Sequence, residues 1–224
     1  KYLLYRKVQI YLIMKFYLIS PPFKQDSFSA ENFDFITDTL DVEYFQFRPK
    51  YKTISQRIMF IKDYYESFNY ICRKKKIKLI VNNDFEIAKR FKFNGIHLGK
   101  KDKTCLEAKN KFGKNFIVGI SCYNSFSSYN TALNQNADYV AFGSIYKSST
   151  KNKESINPEN LIINKKKIKL PFTLIGGINH SNIQALSYLR PNNVAVISSI
   201  WNYKNGPKSS AILFRKIMRD LYEN

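Results

Sequence analysis

The chain has 224 residues, enough for one domain with a sizeable core and too few to demand a second. Its apolar share is an ordinary 44%, and no stretch approaches the roughly 18 uninterrupted apolar residues of a membrane span, so a cytoplasmic protein without a membrane partner is expected. The net charge of +20 comes mostly from Lys, and the runs 73–76 and 165–169 each lead into an apolar segment, so they read as solvated helix ends and no nucleic-acid partner is expected.

Residues 1–13 are apolar and basic but precede no small-x-small cleavage site, and Lys15 interrupts the run. They read as an extension or a mis-assigned start before a domain over 14–224. From Met14 onward, short runs rich in Ile, Val, Phe and Tyr alternate with longer stretches. Strands are predicted over 16–19, 44–48, 78–81, 95–98, 116–120, 139–142, 172–175 and 194–197. A helix is predicted over 54–75, with Ile54, Ile58, Ile61, Tyr65, Phe68 and Ile71 or Cys72 at helical intervals. Shorter helices are predicted over 84–91, 105–112, 125–134 and 181–189, with Ser125 and Ser181 as N-caps. The last helix should cover 209–222 and bury Ile212, Leu213, Ile217 and Leu221. Cys72, Cys105 and Cys122 are too widely spaced for a metal motif or a disulfide framework and read as reduced thiols. This alternation predicts one α/β domain, a (β/α)8 TIM barrel. A doubly wound sheet is the alternative, because strand number does not establish closure. In a barrel, chemistry belongs just after the strands.

Polar residues gather in those places. After the second strand, Gln46 and Arg48 share a face, and Arg48 and Lys50 offer cationic donors to a phosphate. After the third come Asn82, Asn83 and Asp84, which suit a ligand, a metal or a helix cap. After the fourth come His97 and Asp102. Asp102 suits a hard cation. His97 is not read as a general base, and a structural role through a backbone hydrogen bond is weighed for it. Ser121 follows the fifth strand. Ser144, Ser148, Ser149, Thr150 and Lys151 follow the sixth as an anion-binding set without the full nucleotide-loop pattern. Gly176, Gly177 and Ser198, after the seventh and eighth strands, suit a phosphate cup.

On Gln46-x-Arg48-x-Lys50, Asn82, the 95–99 run with Asp102, 119–121, 137–143 with Thr150-Lys151, 175–178 and 194–198, the sequence resembles the thiamine phosphate synthase family from about residue 15 to 200. The resemblance implies coupling of a hydroxymethylpyrimidine diphosphate with a thiazole phosphate, giving thiamine phosphate and pyrophosphate by a dissociative path. It implies that Arg48, Lys50, Asn82 and Lys151 hold the pyrophosphate, with Mg2+ bridging to Asp102 and with Asn83 as its second ligand. It places Gln46 and Ser121 at the pyrimidine and leaving group, Ser148 and Thr150 near the phosphates, and Gly177 and Ser198 at the thiazole phosphate. Lys151, Arg48 and Ser121 are the expected catalytic residues. Three positions depart from the family: Asn83 stands where an Asp is usual, Lys100 where a Gln is usual, and Lys147 where a Pro is usual. The alternatives are a phosphate-ligand binder without turnover or a thiazole tautomerase, which would need a His near Tyr123. A homo-oligomer is compatible with the pattern.

Overall fold

The computed structural model describes residues 14–147, 156–164 and 167–222. Eight parallel strands close in sequential order into one barrel. They are β1 (Lys15–Ile19), β2 (Val42–Phe47), β3 (Lys78–Asn82), β4 (Gly95–Leu98), β5 (Ile117–Tyr123), β6 (Tyr139–Phe142), β7 (Phe172–Ile175) and β8 (Asn193–Val196). β1 pairs with both β2 and β8, which excludes the open doubly wound sheet. The described α-helices are α1 (Ala30–Thr39), α2 (Ile54–Lys74), α3 (Phe85–Arg90), α4 (Cys105–Phe112), α5 (Phe126–Asn134), α6 (Ser198–Trp201) and α7 (Gly206–Tyr222).

The helix starts follow from side-chain chemistry. The Thr53 and Thr104 hydroxyls accept from the backbone three residues on, and Gln56 and Glu107 reach back to the cap N–H groups. Ser125 caps α5 as expected, accepting from the Ser128 N–H. Helix α1 has no counterpart among the predicted elements. Its fully buried stripe is only Phe33 and Ile36, so its periodicity is faint, while Ser29 supplies the cap.

The expected helix over 181–189 is instead a 3-10 helix at Gln184–Leu189, and Ser181 does not cap it. Asn179 takes the turn: its Oδ1 accepts from the Ser181 N–H at 2.9 Å and the Ser181 hydroxyl at 2.7 Å. Two buried-face expectations also shift. Ile54 is exposed at the start of α2, whereas Phe60 is buried. Helix α7 buries Pro207, Ser210, Ala211 and Phe214, a stripe at helical intervals, and Ile212 is 56% exposed because it lies off that stripe. Of the basic run 73–76, Lys75 is not simply solvated: its ammonium lies 2.6 Å from Asp34 and 2.8 Å from Asp38.

Strand alternation divides the interior in two. Outward residues such as Phe45, Phe47, Ile96 and Leu98 pack under the helices. There Phe68 of α2 stacks on Phe33 of α1 at 4.5 Å. Inward residues form a second core inside the barrel: Tyr17, Ile19, Tyr44, Ile80, Tyr139 and Ala195. Three of these are tyrosines with ring centroids 5.0 to 5.8 Å apart. Gly119 lies opposite Tyr139 in register, and a Cβ there would come within 2.0 Å of the Tyr139 ring. The glycine is what lets a large polar-tipped ring fill the barrel.

Candidate active site

One cavity of about 240 Å³ opens above this aromatic floor, at the C-terminal ends of the strands. Its walls include Gln46, Arg48, Lys50, Asn82, Asn83, Asp102, Ser121, Gly177 and Ser198. The structure therefore brings nine of the twelve sequence-predicted site residues to one place. Ser148, Thr150 and Lys151 lie outside the described residues.

The cationic side is built on β2. Gln46 is buried, and its Nε2 donates to Asn82 Oδ1 at 3.4 Å across to β3. The Arg48 N–H donates to the buried Ser20 hydroxyl at 2.8 Å, and the Lys50 N–H donates to the Pro22 carbonyl at 2.8 Å. The strand end is thus tied to the loop after β1. Burial pushes the Arg48 guanidinium below its ordinary value. Burial, and then the neighbouring Arg48 charge, do the same to Lys50, while Asp102 pulls the other way. These cations gain by meeting an anion.

Beside them, Asp102 is positioned by its own turn. One carboxylate oxygen accepts from the Gly99 N–H at 2.6 Å, and the other accepts from Asn83 Nδ2 at 3.0 Å. Asn83 also accepts from the Asn82 amide. Asn83 sits at φ 43°, the left-handed region that Asn tolerates. Asp84 is no substitute for an acid at position 83. Its carboxylate caps α3 at the Ile87 N–H and takes Arg57 Nε and Nη2 at 3.1 and 3.0 Å. Among the described residues there is no group of three or more His, Cys, Asp or Glu that could hold a metal. One carboxylate and one reversible amide still suit a hard cation that takes its remaining oxygens from water and a phosphorylated ligand.

Among the described residues the opposite side is neutral. Gly176 and Gly177 have φ 111° and 63°. Both line the cavity at the place expected of a phosphate cup, and the space on their Cβ side is already filled by the chain. A Cβ on Gly176 would lie 2.2 Å from Ser144 Oγ, and one on Gly177 2.4 Å from the Lys147 carbonyl. They are required first for the β6 and β7 loops to meet. Amides of Asn179 and Asn182 hold the Gly177 carbonyl. In α6, Ile200 and Trp201 make the first bonds, both to the Ile197 carbonyl, so the Ser198 and Ser199 N–H groups precede the intrahelical ladder. This one-turn helix is fixed by Trp201 Nε1 donating to the Ile19 carbonyl and by Ser210 Oγ donating to the Ser199 carbonyl, each at 2.7 Å.

His97, Tyr139 and Tyr17 are absent from the sequence-predicted site. Where a backbone hydrogen bond was weighed from the sequence, the structure shows two side-chain hydroxyls against the His97 ring. Its Nε2 lies 2.9 Å from Ser121 Oγ, its Nδ1 lies 3.1 Å from the Tyr139 hydroxyl, and Tyr139 meets the Tyr17 hydroxyl at 2.7 Å. Strand alternation places His97 and Ser121 inward; what it does not reveal is that Gly119 admits a tyrosine between β5 and β6.

Comparison with known proteins agrees with this architecture. A sequence model described as "Thiamine monophosphate synthase" matches residues 16–200. The thiamine-phosphate synthase of Pelagibacter ubique is 34% identical over 197 residues, covering 88% of this chain and 93% of the relative. That of Rhodospirillum centenum is 28% identical over 206 residues, covering 92% and 98%. Among solved structures, thiamine phosphate pyrophosphorylase from Pyrococcus furiosus has a TM-score of 0.75 at 22% identity, covering 95% of this chain and 98% of that one. A 3-hexulose-6-phosphate synthase from Salmonella typhimurium shares the fold at a TM-score of 0.65 and 12% identity, covering 93% and 100%. The match over most of the chain shows that this protein belongs to the thiamine monophosphate synthase family.

Proposed function

We propose that the protein is a thiamine phosphate synthase, joining hydroxymethylpyrimidine diphosphate to thiazole phosphate with release of pyrophosphate. The observation that carries this reading is the division of one cavity into a cationic side, with Arg48 and Lys50 beside Asp102, and a neutral side at Gly177 and Ser198. Such a cavity suits one highly charged leaving group and one phosphate monoester. In the reaction, the bond from the pyrimidine methylene carbon to the pyrophosphate oxygen breaks, and the thiazole nitrogen forms a bond to that carbon.

Arg48, Lys50 and Asn82 hold the pyrophosphate and stabilise the negative charge that grows on it. Lys151 takes the same role by its place in the family motif. Gln46 and Ser121 orient the pyrimidine, while Ser148 and Thr150 take hydroxyl roles at the phosphates by their place in the family motif. The Gly177 and Ser198 side holds the thiazole phosphate so that its nitrogen faces the departing carbon. Mg2+, when held by Asp102 and Asn83, supplies further charge neutralisation at the pyrophosphate. The working compartment is the cytoplasm, and the small-molecule partners are the two phosphorylated rings.

The test is to mix the purified chain with both substrates and Mg2+ and follow thiamine phosphate. Product formation that disappears on chelation supports the reading. Absence of product across a metal titration rejects it in favour of a phosphate-ligand binder or an isomerase. Lys151→Ala should reduce turnover by on the order of 100-fold if it replaces one strong charge-stabilising contact; unchanged turnover removes Lys151 from the mechanism.

A further inference from the structure

We propose that Tyr17, Tyr139 and His97 form a one-way hydrogen-bond chain that fixes His97 as its Nε2–H tautomer and reserves the Ser121 hydroxyl proton for the substrate. The three are positioning residues acting through Ser121. The proposal deepens the synthase reading and rests on it only for what Ser121 meets.

Direction is set at the buried end. Tyr17 is 2% exposed, and its hydroxyl's partner among the described residues is Tyr139, at 2.7 Å. If Tyr139 donated to Tyr17, the Tyr17 proton, almost wholly buried at the cavity floor, would have no acceptor among the described residues. An unsatisfied buried donor is disfavoured on the order of tenfold or more, which selects the opposite direction. Tyr17 therefore donates to Tyr139. The single Tyr139 proton then goes to His97 Nδ1 at 3.1 Å, which leaves the ring proton on Nε2. Nε2–H donates to Ser121 Oγ at 2.9 Å. With an oxygen lone pair occupied by His97, the Ser121 hydroxyl turns its proton toward the cavity that it lines.

Two further features keep the chain in this state. Desolvation pushes both Tyr17 and Tyr139 well above the ordinary tyrosine range, so both remain protonated donors. The Tyr139 ring is confined by Tyr44 at 5.0 Å, Tyr17 at 5.8 Å and the Gly119 backbone, so its hydroxyl has little room to turn elsewhere. A substrate atom meeting Ser121 should consequently be an acceptor, such as a leaving-group oxygen or an unprotonated ring nitrogen.

The experiment is a two-bond imidazole ¹H–¹⁵N correlation spectrum of the full ligand-free chain. It has only two histidines, His97 and His180, so His97→Gln or His180→Gln assigns the rings by elimination. The expected pattern for His97 is a neutral ring with its proton on Nε2. A proton on Nδ1, or on both nitrogens at neutral pH, overturns the proposal. Tyr139→Phe should move the Nδ1 resonance toward that of an acceptor without a donor. It should also lower kcat by about five- to tenfold with KM for the pyrimidine diphosphate held within about twofold. An unmoved Nδ1 resonance, or a change confined to KM, overturns it. Should that variant fail to fold, Tyr17→Phe should move the same resonance less far in the same direction, and no movement overturns the chain. The spectra need no turnover: a correct tautomer in a protein that makes no product would reject the synthase reading alone.

Discussion

Replacing Asn83 by Asp should make the unliganded protein less stable and the metal-bound protein more stable. Asn83 Nδ2 now donates to Asp102 Oδ1 at 3.0 Å. The variant replaces that attraction with two carboxylates at similar separation. Coulomb's law gives about 1.4 kcal/mol of repulsion for unit charges at that distance in bulk water, and more at the lower dielectric of a protein surface. Because Asn83 is exposed, a total cost of about 1 to 3 kcal/mol is expected once the lost hydrogen bond is included. The left-handed backbone at this position adds little, since Asp tolerates it much as Asn does. For a domain of this size the loss corresponds to a fall in Tm of roughly 2 to 12 °C. Thermal unfolding in EDTA and then in a Mg2+ series reads both halves of the argument. Native protein should gain little from Mg2+ alone, whereas Asn83→Asp should recover its loss as the cation binds between the acids. Equal Tm values in EDTA, together with no larger Mg2+ shift in the variant, would refute the assignment of position 83 to the cation site.

Two other outcomes follow from contacts outside the cavity. Arg57→Ala should cost about 1.5 to 3 kcal/mol in urea unfolding, because the half-buried Asp84 loses a two-nitrogen contact to a cation; Asp84→Asn in that background should recover part of the loss, and additive losses would show the pair is uncoupled. The three buried thiols predict alkaline sensitivity: burial raises Cys105 to about 11 and Cys72 and Cys122 to about 12, whereas in the unfolded chain they ionise near the ordinary value of 9.0. Above that value the unfolded chain binds fewer protons than the fold, so stability is full below pH 9.0 and declines toward pH 12. Cys72→Ala, Cys105→Ala and Cys122→Ala together should flatten that decline in urea midpoints measured across the alkaline range; an unchanged slope would assign it to other groups.

Strand positions are legible in the sequence because β-rich runs and period-two alternation are local. The same alternation puts Gln46 and Arg48 on one inward face, which is where they stand. Helix α1 is hidden because its fully buried positions are only Phe33 and Ile36. The turn at Asn179 cannot be read locally because Ser181 and Asn179 are both good turn formers, and only tertiary structure shows which side chain closes it. The His97 chain depends on the closed barrel, which brings Tyr17 of β1 against Tyr139 of β6 across the interior. Likewise, the sequence places Asp84 beside the proposed cation site but does not reveal that Arg57, 27 residues away, engages its carboxylate.

The unequal charge on the two sides also constrains which phosphate each can accept. On the β2 side, two cations have already lost part of their hydration, and Arg48 raises the cost of keeping Lys50 charged. An incoming anion offsets both penalties, and a diphosphate offsets more than a monoester. On the β7–β8 side the contacts among the described residues are neutral groups held in place by Asn179, Asn182 and Ser210, which can recognise shape but add little formal charge. The positive field of a +20 chain would attract both proposed substrates without distinguishing them, since it scales with charge and acts at long range. Discrimination must therefore arise inside the cavity. There, a diphosphate on the neutral side would forgo the relief available at Arg48 and Lys50, so on the proposed function local desolvation rather than the global charge would order the two substrates.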